Sequence, residues 1–122
     1  MIDIENYDKN NIFAKILRKE VPSDVVYEDD FIYAFKDISA KAPVHILVVP
    51  KEPFCSFNDF SEKADDETIL NLVRTIGKIT KKLNLKDGYR IIANIGKHGG
   101  QEVPHLHFHI LGGKSIGPLV SK

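Results

Sequence analysis

The stretch Glu102–Gly113, EVPHLHFHILGG, carries three of the chain's five histidines, each separated from the next by one apolar residue. Side chains alternate across a strand, so the pattern places His105, His107 and His109 on one face and Leu106, Phe108 and Ile110 on the other. One face is then chemical and the other belongs to a core. Along a straight strand successive imidazoles stand roughly 6.6 to 6.8 Å apart, and the outer pair about twice that. Zinc holds its nitrogen ligands at about 2.1 Å, so three rings on one straight strand cannot all converge on it. A zinc site would take two of them and a third ligand from elsewhere, His45 or Glu102; the reading adopted is no metal and no cofactor. A structural role suits a lone histidine, not three together, because burying several ionisable rings is unfavourable unless each is neutral and hydrogen-bonded. What remains is nucleophilic chemistry, in which a neutral imidazole nitrogen attacks phosphorus and carries the group as a covalent intermediate. His107, flanked by a ring on each side, is the candidate nucleophile, and any positive charge on its neighbours disfavours its own protonation.

Upstream, the polar loop IGKHGGQ joins these histidines to YRIIAN, a strand over 89–94. Gly99 and Gly100 leave backbone N–H groups open to an anion, and Asn94 and Gln101 add neutral donors, so a phosphate fits beside the triad. His98, in the same loop, reads as a surface residue. Before the strand, Ile69, Leu72, Val73, Ile76 and Ile79 recur at helical spacing and predict a helix from near Asp65 to Leu83, stopped by KDG. VHILVVP, from Val44 to Pro50, is apolar except for His45 and reads as a strand buried on both faces. VVYEDD and FIYAFKDI form a hairpin that turns at Asp29 and Asp30, and Asn10 or Asn11 caps a first helix over IFAKILRKE. The sum is an α+β domain: a five-stranded antiparallel sheet with two helices. We read 1–122 as one domain with its core in 12–113, between a polar N-terminal arm and a short tail.

A chain of 122 residues with 43% hydrophobic content builds a core without disulfides or metals, and the single cysteine, Cys55, excludes an internal disulfide and reads as a small buried hydrophobe. Lys+Arg and Asp+Glu each number 17, so no net basic field is present to hold a nucleic acid polymer, although one phosphate needs none. MIDIENYDKNN lacks the basic start and apolar run of a secretory signal, and no stretch approaches about 18 apolar residues, so a cytoplasmic location without membrane contact is expected.

HLHFHIL resembles the alternating motif of the histidine triad superfamily, and the likeness runs from Ile12 to Gly113 through IFAKILRKEVPS, YEDDFIYAFKDISAKAPVHILVVPK, GYRIIAN and GGQEVPHLHFHILGG. It is similar to the nucleotide-binding branch, the purine nucleoside phosphoramidate hydrolases. That resemblance implies a homodimer whose sheets join into one of ten strands, and a purine nucleotide substrate cleaved at its P–N bond through a nucleotidyl intermediate on His107. It also implies that Asp37 accepts hydrogen bonds from the ribose hydroxyls and that Ile38, Phe35, Phe13, Val21 and Leu47 line the base pocket. His45 would be a fourth histidine that orients or tunes the triad, and Asn94, Gly100, Gln101, the Val103 N–H and His109 would surround the phosphate. His105 would hold the nucleophile through its main chain, and a cationic His109 would give the leaving amine its proton. Glu102 stands where many members carry serine, and the tail KSIGPLVSK lacks the tryptophan that animal members place there, so both bear on the leaving group. Three other functions share these residues: a nucleotide-binding regulatory module with incidental hydrolysis, a dinucleoside polyphosphate hydrolase, and a zinc-dependent hydrolase.

Overall fold

The computed structural model describes residues 2–120. Its sheet is built of β1 (Val25–Glu28), β2 (Ile32–Lys36), β3 (Val44–Pro50), β4 (Tyr89–Ala93) and β5 (Phe108–Gly112), in the order β1-β2-β3-β5-β4, every pair antiparallel. β1 and β2 are a hairpin because the Asp29 carboxylate accepts the N–H groups of Phe31 and Ile32, both at 2.8 Å, closing the turn expected there. β3 is central and buried almost throughout, as its apolar run predicts.

Three helices pack on this sheet, one more than the sequence pattern predicts. α1 (Ile12–Leu17) starts where Asn11 accepts the N–H of Ala14 at 2.9 Å, and it ends short of Glu20 because Lys19 turns into the left-handed region at φ 64°. α2 (Phe57–Lys63) is the unforeseen helix. It carries few apolar residues at helical spacing, but its start is written in Ser56-Phe57-Asn58-Asp59: the Ser56 hydroxyl accepts the Asn58 N–H, and the Asp59 carboxylate accepts the N–H groups of Ser56 and Cys55. α3 (Asp66–Lys82) matches the predicted range, with Asp66 and Glu67 in its first turn and Lys81 and Lys82 in its last, each favourable to the helix dipole. Val73 departs from the expected buried stripe; it is 64% exposed while Leu72, Ile76 and Ile79 are buried.

The sheet has a different core on each face. On one, Ile32, Ala34, Ile46, Val48 and Ile110 pack against Phe60 of α2 and Leu72, Ile76 and Ile79 of α3. On the other, Tyr33, Phe35, Leu47 and Val49 pack against Phe13 and Ile16 of the single short α1. Six helical residues cannot cover that face, and the part left open holds the histidines. Beyond β5 the tail folds back, its Gly117 and Pro118 carbonyls accepting from the Arg90 guanidinium. Among the described residues no helix is long and apolar enough to cross a membrane.

Candidate active site

Only one of the three histidines lies in the ladder. β5 begins at Phe108, because its last partner on β3 is Val48 and the chain bends away through Val103–His105, with the Leu106 N–H donating to the Phe54 carbonyl. The straight strand expected over all three is therefore corrected: His109 sits opposite Leu47 in register, and His105 and His107 precede the strand. The bend draws the rings together, His107 and His109 having centroids 5.2 Å apart. His45, two residues before Leu47 on β3, reaches the same cluster, its ring centroid 5.1 Å from that of His109.

Hydrogen bonds settle where each proton lies. The Lys41 N–H donates to His45 Nδ1 at 3.0 Å, so the His45 proton is on Nε2, and that N–H donates to His109 Nδ1 at 2.9 Å, with Asp37 Oδ2 3.3 Å away. His109 therefore carries its proton on Nε2. The His105 carbonyl can only accept, so at 2.8 Å it takes the Nδ1–H of His107 and leaves the lone pair of that ring on Nε2. His105 Nε2–H donates in turn to the Pro50 carbonyl at 2.8 Å.

Burial, the largest cause in each case, holds all four imidazoles below their ordinary pKa. His105 and His109 fall to about 4; for His109 the neighbouring His107 and His45 add to the effect. For His107 the His105 carbonyl, Asp37 and Glu102 oppose the shift without reversing it. At neutral pH the His109 ring is therefore neutral, because it is desolvated and because its Nδ1 already accepts from His45.

A cavity of about 710 Å³ opens over these rings. His107, His109, His45, Asp37, Ile38, Phe35, Phe13, Leu47, Asn94, Gly100, Glu102 and Val103 all line it, and Ile38 stands wholly exposed at its rim. Phe13 meets His107 edge-on at 4.9 Å between centroids. Two residues expected at the ligand, Val21 and Gln101, do not line it, and neither does His105, whose expected role is through its main chain. Val21 packs behind, against the α1 core. His105 has no exposed surface. Gln101 is buried and spent internally: its amide donates to the Cys55 and Val103 carbonyls and its oxygen accepts the Gly96 N–H, so its side chain shapes the loop and offers nothing to a phosphate. The Gly100 N–H is likewise engaged, donating to the Lys97 carbonyl. Ile16, Ile92 and Leu111 also line it; their apolar character alone marks core, and it is strand register that assigns Ile92 and Leu111 to this face and the packing of α1 that brings Ile16 there. His98 is exposed, as expected.

Asp37, His45 and His109 offer ligand atoms within 4.8 Å of one another, a spacing that suits a divalent ion. The hydrogen bonds do not suit one. A metal-bound histidine donates from its second nitrogen, whereas His45 Nδ1 accepts from Lys41 and so places the proton on the atom that would ligate. The donor set fits proton-ordered imidazoles better than zinc.

A profile of the HIT domain family matches residues 18–116. A purine nucleoside phosphoramidase of Escherichia coli K12 is 43% identical over 114 residues, covering 93% of this chain and 95% of that protein. Among solved structures, a histidine triad protein from Clostridium difficile aligns with a TM-score of 0.82 at 41% identity, covering 94% of this chain and all of the other. A HIT family hydrolase from Legionella pneumophila aligns with a TM-score of 0.83 at 39% identity, covering 88% and 96%.

Proposed function

This chain belongs to the HIT domain family, and on that premise we propose that it hydrolyses the P–N bond of purine nucleoside 5'-phosphoramidates through a nucleotidyl intermediate on His107. The observation that carries this reading is the His107 Nδ1–H held by the His105 carbonyl, which leaves a neutral Nε2 lone pair in a cavity sized for a nucleotide.

In the first step Nε2 of His107 forms a bond to phosphorus, the P–N bond breaks, and its electron pair stays on the departing nitrogen, which takes up one proton. A second proton can enter His109 only at Nδ1, so the His45 N–H must release that nitrogen; a phosphoryl anion bound beside the ring opposes the burial that keeps it neutral and favours that change, and the proton then passes to the amine. In the second step water attacks phosphorus, the His107–phosphorus bond breaks, and the nucleoside monophosphate leaves with His107 restored. The Asp37 carboxylate accepts from the ribose hydroxyls, being an acceptor only. Phe13, Phe35, Leu47 and Ile38 give a flat base apolar walls, Asn94 and Gly100 face the phosphate side, and Glu102 borders the leaving group. No cofactor takes part.

We further propose that the single domain works as a homodimer, two sheets joined at the β4 edge. The unpaired strand β4 exposes Tyr89 and Ile91, and α3 exposes Leu70 and Val73 together with Gly77, whose missing side chain leaves room for a close neighbour.

Intact mass after brief mixing with adenosine 5'-phosphoramidate tests the chemistry. A nucleotidyl adduct on the native chain, absent from His107→Ala, is the expected result, together with a loss of about 10³-fold or more in kcat. Tight nucleotide binding without adduct or turnover would make the protein a binding module instead.

A further inference from the structure

The N-terminal arm, which the sequence marks only as polar, runs back over the triad. The Tyr7 hydroxyl lies 2.5 Å from His105 Nδ1, and its ring meets that imidazole edge-on at 5.5 Å between centroids. Because His105 Nε2–H is committed to the Pro50 carbonyl, the lone pair of the neutral ring is on Nδ1, and Tyr7 is the donor. Desolvation raises the Tyr7 pKa and holds that of His105 at about 4, so neither proton moves near neutral pH. The arm is folded locally before Tyr7 and tied to α1 after it. The Asp3 carboxylate accepts the N–H groups of Glu5 and Asn6, and the Asp8 carbonyl accepts the side-chain N–H of Asn11, which caps α1. Ile4 approaches Gly96, in the loop that leads to Gly100 and Glu102.

His105 cannot touch substrate, since it has no exposed surface. Its carbonyl nonetheless receives the proton that sets the His107 tautomer. Two bonds fix the His105 ring, one to Pro50 at the end of β3 and one to Tyr7 on the arm, and removing either leaves a buried ring nitrogen unpaired and the residue free to tilt.

We propose that Tyr7 is a positioning residue of this site: its hydroxyl, bonded to His105 Nδ1, holds the His105 carbonyl in place and through it keeps the His107 lone pair aimed into the cavity. This rests on the reading of His107 as the nucleophile, so the test has one arm with substrate and one without.

Tyr7→Phe keeps the ring and its packing and removes only the hydroxyl; Tyr7→Leu removes both. With adenosine 5'-phosphoramidate, Tyr7→Phe is expected to lose about tenfold in kcat with KM within about twofold, as one misplaced hydrogen bond implies. Without substrate, nitrogen-15 spectra of the imidazoles should show the His105 Nδ1 resonance moving toward that of a free lone pair in Tyr7→Phe, and the His107 Nδ1 proton exchanging faster with water. A native kcat in Tyr7→Phe with unchanged His107 exchange, and a defect confined to Tyr7→Leu, would overturn the proposal and leave Tyr7 a packing residue. If the native chain leaves phosphoramidates intact but the spectral changes appear, the positioning role stands and the substrate assignment falls.

Discussion

At the scale of the residue, chemistry here depends on which nitrogen holds each proton; in three of the four rings a main-chain group decides it, and in His109 the His45 N–H does. Lys41 N–H orders His45, the Pro50 carbonyl orders His105, and the His105 carbonyl orders His107. The resulting neutral imidazoles link stability to pH. An unfolded histidine binds its proton near pH 6.5 while folded His105 resists to about 4, so the unfolded state takes up protons first as pH falls. Stability is then full above about 6.5, declines between about 6.5 and 4, and levels off below. His105 alone should remove about 2 kcal/mol by pH 5. Urea midpoints at pH 7, 6 and 5, above most carboxylate titration, measure this, and a midpoint that rises on acidification contradicts it. A second prediction concerns His109. If it delivers the amine proton, His109→Ala should slow nucleotidylation most for amines that leave poorly, and equal slowing across a leaving-group series removes that role.

At the scale of the element, the loop between β4 and the triad is held by two adjacent glycines for different reasons. A Cβ on Gly99 would stand 2.4 Å from the Ile95 carbonyl oxygen, whereas at Gly100 space is open and the constraint is its φ of +73°. Gly99→Ala must displace backbone, so we expect it to cost about 1 to 3 kcal/mol and to raise KM by distorting the phosphate side. Gly100→Ala should cost about 1 to 2 kcal/mol from the left-handed conformation alone. Thermal midpoints of the pair, read with KM, separate clash from strain. The helices show how local signals compete. Asn11 and the α3 stripe are legible as a cap and a buried face, while α2 is signalled only by its capping box, since Phe57 and Phe60 alone make too short a periodicity to stand out.

At the scale of the molecule, the apolar surface left on β4 and α3 asks for a second copy. The prediction is a species of twice 13.8 kDa in light scattering. Ile91→Lys, which places a charge on that exposed strand edge, should shift it toward the monomer without loss of secondary structure. A native chain that scatters as a monomer at micromolar concentration would remove the proposed ten-stranded sheet. The site cavity lies on the opposite face of the sheet from α3, so a monomeric variant also tells whether catalysis needs the partner.

The alternation that puts the histidines on one face, the buried central strand with its single polar interruption, and the antiparallel α+β layout are all legible in the order of the residues. These follow from side-chain periodicity, which is local. It took the folded chain to show that the triad bends off β5, that Gln101 is consumed within its loop, that His109 rests neutral, and that Tyr7 arrives from 98 residues away to complete the His105 bonds. Each of those depends on backbone donors and acceptors brought together by strand pairing and chain crossing, and a one-dimensional pattern carries no record of which N–H or carbonyl will meet which ring.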